Sequence, residues 1–194
     1  MSETVTLPGP LDGYLAVPDG AGAVPGVVVL HEAFGLDDDI RAIAERFAAA
    51  GFAAVAPDLF SWGSTPRCLV ATFRDLLRRE GDTPRRVDAA GEWLAAHPRC
   101  TGRVGVVGFC MGGGFALLAA TRSRFAVSGV NYGLVPKRAG ALLAGACPVV
   151  ASYGAKDPMR AHAGRLDAAL AANGVDHDVK VYPGVGHSFM NHHT

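Results

Sequence analysis

Short apolar runs alternate with stretches of helical periodicity along most of this chain. The run at residues 27–30 has no polar alternation, which is typical of a strand buried on both faces of a sheet. Acidic residues at 37–39 then open a stretch whose apolar residues share one helix face: Ile40, Ile43, Ala44 and Phe47. Repeated alternation of this kind predicts an α/β fold with a mostly parallel sheet flanked by helices on both faces.

The same pattern continues along the chain. It predicts further strands at residues 52–57, 103–109, 125–132, 147–153 and 178–182, and helices near residues 69–77, 84–94, 111–121 and 159–172. Ligands of such sheets bind at the carboxyl ends of the strands. Five polar side chains follow predicted strands and are therefore the first candidates for a site: Glu32, Asp58, Cys110, Asp157 and His187.

Composition limits the class of protein. The 194 residues predict a single domain over residues 1–194. Eighteen basic residues balance eighteen acidic ones, so no charge excess favours nucleic acid or an anionic membrane as a partner. No apolar run is long enough to span a bilayer, and the first residues do not form a secretory signal, which predicts a cytoplasmic protein.

A glycine-rich turn at residues 108–113 joins a predicted strand to a predicted helix. Its Gly-Phe-Cys-Met-Gly spacing matches the G-x-S-x-G nucleophile elbow, with Cys110 in the position of the serine. A thiol at a helix N-terminus has a lowered pKa and is therefore more reactive. The alternative is that Cys110 is a small buried core residue, as cysteine often is.

Two further residues complete a catalytic pattern downstream. Asp157 and His187 each follow their own predicted strand, in the order nucleophile, acid, histidine. Taken singly, Asp157 is also a common turn residue before a proline, and His187 is one of seven histidines. His187 with His192 and His193 could suggest a metal site, but no fixed ligand spacing supports it, so we expect no metal.

At these residues the chain resembles the dienelactone hydrolase family of α/β-hydrolases. The resemblance runs from about residue 12 to the end and is carried by five segments: residues 31–36, 51–60, 108–113, Asp157 and residues 186–189. It implies a single α/β-hydrolase domain with a Cys110–His187–Asp157 triad and no metal or organic cofactor. It also implies that Glu32 contacts the thiol and takes part in activating it.

The implied roles have a physical basis. A carboxylate beside a thiol disfavours the thiolate, so Glu32 can hold the resting enzyme protonated until substrate binds. The alternative for Glu32 is a helix-start carboxylate satisfied by backbone N–H groups. The oxyanion hole is expected to consist of the backbone N–H groups of Ala33 and Met111.

The chain departs from the family in two places. Asn191 stands where members that act on the carboxylated dienelactone have an arginine, and a neutral amide cannot form the guanidinium–carboxylate pair. Arg67 or Arg74 could substitute for it. The sequence also ends seven residues after His187, so the C-terminal helix of the family is expected to be lacking, which would expose an apolar face. Four aromatic residues are expected either to line an apolar acyl pocket with Asn191 or simply to pack: Phe34, Phe60, Trp62 and Phe189.

The sequence therefore predicts a cysteine-dependent hydrolase of lactones or carboxylic esters that acts through a thioester. Alternatives are an acyltransferase or thioesterase on the same triad, and a non-catalytic ligand-binding domain. A redox role for Cys110 lacks a resolving cysteine at short spacing. The expected partner is a small-molecule ester or lactone, and the expected state is a monomer or a weak homodimer.

Overall fold

One sheet runs through the whole fold. The computed structural model describes residues 1–9, 11–20 and 22–191. Eight strands lie in the order β1-β2-β4-β3-β5-β6-β7-β8. Their bounds are β1 Ser2–Leu7, β2 Leu11–Ala16, β3 Val24–Leu30, β4 Ala53–Pro57, β5 Cys100–Phe109, β6 Ser128–Asn131, β7 Val149–Gly154 and β8 His177–Tyr182. Strands β3 to β8 pair in parallel, whereas β2 is antiparallel to both of its neighbours, β1 and β4.

Within the described residues, six helices connect the strands. Their bounds are α1 Asp38–Ala49, α2 Thr65–Arg78, α3 Asp82–Ala95, α4 Met111–Ala120, α5 Ala139–Leu142 and α6 Ala161–Ala172. Helix α1 begins where predicted because the Asp37 carboxylate accepts a hydrogen bond from the Ile40 N–H at 3.0 Å. Helix α3 buries the face that contains Val87, Ala90, Gly91 and Leu94. The prediction of an α/β fold with a mostly parallel sheet is confirmed.

The two faces of the sheet are covered unequally. Helix α4 is buried along its whole length, and the Ser128 hydroxyl of β6 donates to its Ala116 carbonyl. Gly129, the next residue of β6, faces the opposite side of the sheet. Val150 of β7 pairs with Gly129 and is 51% exposed on that side. Helix α1 covers part of this opposite face, beside an apolar cavity of about 530 Å3.

Several boundaries differ from the sequence predictions. The N-terminal hairpin of β1 and β2 was not predicted, because β1 is mostly exposed and carries no buried apolar run. Strand β6 is shorter than the predicted 125–132 and is followed by Tyr132, whose left-handed φ of 40° turns the chain out of the sheet. Residues 158–160 form a 3₁₀ turn ahead of α6.

The end of the described chain contains turns. Between β8 and residue 191 no helix follows the sheet in the described residues. Among the helices of the described ranges, none combines the length and the apolar character that crossing a membrane requires.

Candidate active site

Cys110 lies at the apex of a tight turn between β5 and α4. Its φ of 51° and ψ of −110° are strained for a residue with a side chain. The strain is held by hydrogen bonds on both sides, because the Cys110 N–H donates to the Asn131 carbonyl at 3.0 Å and the Gly114 N–H donates to the Cys110 carbonyl at 3.2 Å. The turn therefore fixes a half-buried thiol at the carboxyl end of the central strand.

The flanking glycines are required by close backbone approach. A Cβ on Gly108 would lie 2.0 Å from the Gly112 carbonyl oxygen. A Cβ on Gly112 would lie 2.4 Å from the Leu30 carbonyl oxygen of β3. Helix α4 thus crosses β5 and β3 at a distance that only glycine permits, which is the steric basis of the elbow spacing in the sequence.

His187 and Asp157 form a directly hydrogen-bonded pair. The His187 Nδ1 lies 2.8 Å from Asp157 Oδ2, and because a carboxylate only accepts, the ring donates its Nδ1–H. Asp157 is 1% exposed, and its Oδ1 accepts a hydrogen bond from the Met159 N–H at 2.7 Å. The carboxylate is thereby fixed in one orientation, and so is the ring that it holds.

The electrostatics of the pair favour the imidazolium. A hydrogen bond with Cys110 and a hydrogen bond with Asp157 raise the pKa of His187 to about 9, against the lowering effect of burial. The ring hydrogen-bonds the buried Asp157 carboxylate and lines the same cavity as the Cys110 thiol. A proton held on this ring at neutral pH is available to a leaving group.

Glu32 is buried beside this pair. Its Oε1 accepts a hydrogen bond from the Ser188 hydroxyl at 2.8 Å, and Ser188 holds a left-handed φ of 57° directly after His187. Tyr132 lies against the His187 ring at 4.9 Å between centroids and donates its hydroxyl to Asn191 Oδ1 at 2.9 Å. Burial, and secondly the Glu32 carboxylate, raise the pKa of the Tyr132 hydroxyl.

His31 anchors the loop that carries Glu32. The ring is fully buried, with Nδ1 at 2.6 Å from the Glu32 carbonyl and Nε2 accepting the Leu59 N–H at 3.0 Å. Burial lowers its pKa, so the neutral ring donates through Nδ1 and accepts through Nε2. The turn after β3, with Ala33, is thereby tied to the turn after β4. Met111 opens α4, where the N–H groups lack intrahelical partners.

Comparison with known proteins identifies the family. The model of the dienelactone hydrolase family matches residues 11–194. The chain belongs to the dienelactone hydrolase family. It is 33% identical to carboxymethylenebutenolidase 1 of Cupriavidus pinatubonensis over 162 residues, which are 77% of this chain and 68% of that protein. It is 32% identical to the protein usf of Aquifex pyrophilus, over 92% of this chain and 81% of that one.

A solved structure supports the same assignment. A dienelactone hydrolase-like promiscuous phosphotriesterase from metagenomic libraries superposes with a TM-score of 0.84 at 29% identity, covering 97% of this chain and 84% of the other. The fold is accordingly the α/β-hydrolase fold. The protein is a dienelactone hydrolase-like hydrolase of ester or lactone bonds.

The cavity at Cys110, His187 and Asp157 is strongly apolar. It has a volume of about 560 Å3 and is lined in part by Cys110, His187 and Asp157. The remaining walls are apolar or aromatic: Phe73, Leu76, Leu77, Met111, Tyr132, Leu134, Pro158 and Met159. Such a lining accommodates a hydrocarbon group attached to the scissile carbonyl.

The residues proposed from the sequence for the acyl pocket are not among those that line this cavity. Phe34 is 73% exposed, and Phe60 is buried against the His31 ring at 4.8 Å. The Trp62 ring lies under the Arg86 guanidinium at 4.5 Å. Phe189 lines the other apolar cavity, beside α1. Asn191 is buried under Tyr132 instead of facing the thiol cavity.

Sequence reasoning missed the pocket lining on α2. Leu69, Phe73, Leu76 and Leu77 share one helix face, and that pattern predicts a core-facing stripe. Only Leu76 of the four is fully buried, whereas Phe73 and Leu77 are 37% and 67% exposed. The number of apolar residues on this face could have indicated the pocket, because apolar side chains that the core does not bury can line a cavity.

The metal alternative has no support in the described part of the chain. No group of three or more histidine, cysteine, aspartate or glutamate side chains there could hold an ion. His192 and His193, which entered that alternative, lie outside the described residues.

Proposed function

We propose that this protein hydrolyses lactones or carboxylic esters through a thioester formed on Cys110. The observation that carries the proposal is the position of the thiol. It lies on the strained turn and lines the same apolar cavity as the His187 ring, which the buried Asp157 holds by a hydrogen bond.

In acylation, the Cys110 sulfur attacks the carbonyl carbon and the carbonyl oxygen becomes an oxyanion. The backbone N–H groups of Met111 and Ala33 are the proposed donors to that oxyanion. When the C–O bond of the ester breaks, His187 transfers its proton to the departing oxygen. Asp157 stabilises the ring in its protonated form and keeps its orientation throughout.

In deacylation, His187 is neutral and accepts a proton from a water molecule. The resulting hydroxide attacks the thioester, and the sulfur leaves as a thiolate next to the newly protonated ring. The product acid departs from the apolar cavity and leaves a thiolate–imidazolium pair, which exchanges its proton to give the thiol and a neutral ring until the next substrate binds. No step requires a redox change.

Glu32 is proposed to govern the protonation state of the thiol between turnovers. A buried carboxylate close to a thiol disfavours a second negative charge in the same place. The Ser188 hydroxyl donates to one carboxylate oxygen, and because Ser188 follows His187 directly, this hydrogen bond links Glu32 to the segment that carries His187. Substrate that draws this carboxylate away lets the thiol proton pass to His187, which favours the reactive thiolate.

The test uses p-nitrophenyl acetate with the wild type, Cys110→Ala and Cys147→Ala. Cys147 is the matched control, because it is the other half-buried thiol and does not line the cavity. We expect turnover by the wild type and by Cys147→Ala, loss of turnover in Cys110→Ala, and inactivation of both active proteins by iodoacetamide. A folded Cys110→Ala that keeps full activity contradicts the proposal.

A competing nucleophile separates hydrolysis from acyl transfer. Adding an alcohol or an amine to the same assay and analysing the products shows where the acyl group goes. Free acid as the main product supports the hydrolase. A transferred acyl group as the main product would favour the acyltransferase, and an inert folded wild type would favour a non-catalytic binding domain.

A further inference from the structure

The cavity at Cys110 adjoins a second one. A cavity of about 430 Å3 shares Leu76, Leu77 and Leu134 with the cavity of about 560 Å3 that contains the thiol. We call the two adjoining cavities together the α2 trough. It runs from Cys110 between α2 and the segment after β6, and its inner part is apolar. The trough is therefore longer than a small acyl group needs.

The outer end of the α2 trough is basic. Three cationic side chains line it: Arg79, Lys137 and Arg138. All three are exposed, and no acidic side chain is among the described residues that line this second cavity. Within residues 1–9, 11–20 and 22–191, none of the three makes an ion pair. Three unpaired cations around one apolar opening attract an anion.

The backbone at Arg79 adds an independent observation. Arg79 is the C-cap of α2, with a left-handed φ of 63° and ψ of 21°. Glycine adopts this conformation without strain and is the usual residue at such a position. Here an arginine occupies it instead, and its side chain lines the trough. Strained backbone of this kind is concentrated at functional positions.

We propose that the α2 trough binds substrates whose apolar acyl chain ends in an anion, a carboxylate or a phosphate, with the scissile carbonyl at Cys110. The inference rests on the proposed function and adds the substrate class. The acyl chain of the substrate packs against Phe73, Leu77 and Leu134. Its distal anion lies among Arg79, Lys137 and Arg138. This subsite lies at the far end of the trough from the thiol, away from Asn191.

The experiment compares matched p-nitrophenyl esters. One series contains the monoesters of dicarboxylic acids from glutarate to dodecanedioate, and the other contains the neutral fatty acyl esters of equal chain length. We expect kcat/KM to favour the anionic ester by about tenfold at one optimum length, because three exposed cations each contribute little. The preference should fall severalfold when salt is raised to about 0.5 M, since exposed charges are screened.

Variants assign the preference to the trough. In Arg79→Gly and in Lys137→Gln/Arg138→Gln, the ratio of kcat/KM for the anionic over the neutral ester should fall towards one. Arg103→Gln is the matched control, because Arg103 is an exposed cation near the opposite end of β5 and makes no ion pair in the described chain. It should leave the ratio as in the wild type. Arg79→Gly should also raise the melting temperature, because glycine relieves the left-handed backbone.

The outcomes separate this inference from the proposed function. Turnover of neutral esters with no preference for the anionic ester at any length overturns the subsite and leaves the hydrolase. A preference that survives in both trough variants also overturns it. If no ester is turned over, the proposed function fails, and calorimetric binding of suberate against octanoate then tests the subsite alone. Tighter binding of suberate that is lost in Lys137→Gln/Arg138→Gln supports the subsite, and equal binding overturns it.

Discussion

The orientation of His187 by Asp157 can be tested by one isosteric change. Asp157→Asn keeps an oxygen for the Met159 N–H but replaces the charged acceptor of the His187 Nδ1–H. A hydrogen bond to a buried charged group contributes about 1.5–3 kcal/mol, which predicts a loss of roughly 10- to 150-fold in kcat/KM. Part of the loss comes from the amide stabilising the wrong tautomer of the ring.

The choice of ester sharpens this prediction. An alkyl acetate releases an alkoxide that needs the proton of His187, whereas p-nitrophenyl acetate releases a stable anion. The loss in Asp157→Asn should therefore be larger for the alkyl acetate. Asp176→Asn is the matched control, because Asp176 is exposed at the amino end of β8 and should keep wild-type kinetics with both esters.

The pH profile gives the sign of the effect. The pKa of His187 is raised to about 9, so the proton donor is present below that pH and is lost above it. Activity towards the alkyl acetate should decline as pH rises through about 9 in the wild type. Removing the Asp157 charge lowers the pKa of His187, so the decline should move to lower pH in Asp157→Asn. Suppose that folded Asp157→Asn keeps more than half of the wild-type activity and that its activity declines at the same alkaline pH. That result would show that Asp157 neither orients His187 nor raises its pKa.

Three further changes test the packing and the charges around the site. Gly108→Ala should lower the free energy of unfolding by about 3 kcal/mol in urea denaturation, because its Cβ meets the Gly112 carbonyl, while Gly164→Ala in α6, whose Cβ meets nothing, should raise it by about 0.5–1 kcal/mol; equal effects would contradict this. Ser188→Ala removes a donor to buried Glu32 and should cost about 1–3 kcal/mol in the same measurement, with no change if the contact is unimportant. Because the pKa of His187 is raised from 6.5 to about 9, the stability of the wild type over His187→Gln should be fully present below pH 6.5 and lost as pH rises to about 9, and a difference that grows with pH would be contrary.

The fold was predictable where an element has a recognisable pattern of apolar, acidic or small residues. The apolar run of β3, the acidic start of α1 and the small-residue spacing at Gly108 and Gly112 each have one physical explanation. The hairpin of β1 and β2 was not predictable in the same way, because an edge strand exposes polar side chains and has no apolar run. Propensity alone does not separate such a strand from a loop.

The site was predictable in its order and not in its lining. Cys110, Asp157 and His187 follow strands whose carboxyl ends lie at the same edge of the sheet. The topology alone therefore brings the three residues near one another. The pocket depends on which way each aromatic ring turns, and that is decided by tertiary packing. The Phe60 ring packs against His31 and the Phe189 ring against Tyr132, whereas Phe73 and Leu77 of α2 line the cavity.

The proposed mechanism requires the thiol of Cys110 to be the nucleophile. The most direct measurement is mass spectrometry of the enzyme quenched in acid during turnover of a p-nitrophenyl ester, with Cys110→Ala treated in parallel. We expect an added acyl mass on the peptide that contains Cys110, which hydroxylamine removes, and no such adduct in Cys110→Ala. Full turnover with no adduct on Cys110, or the same adduct on another residue in both proteins, would contradict it.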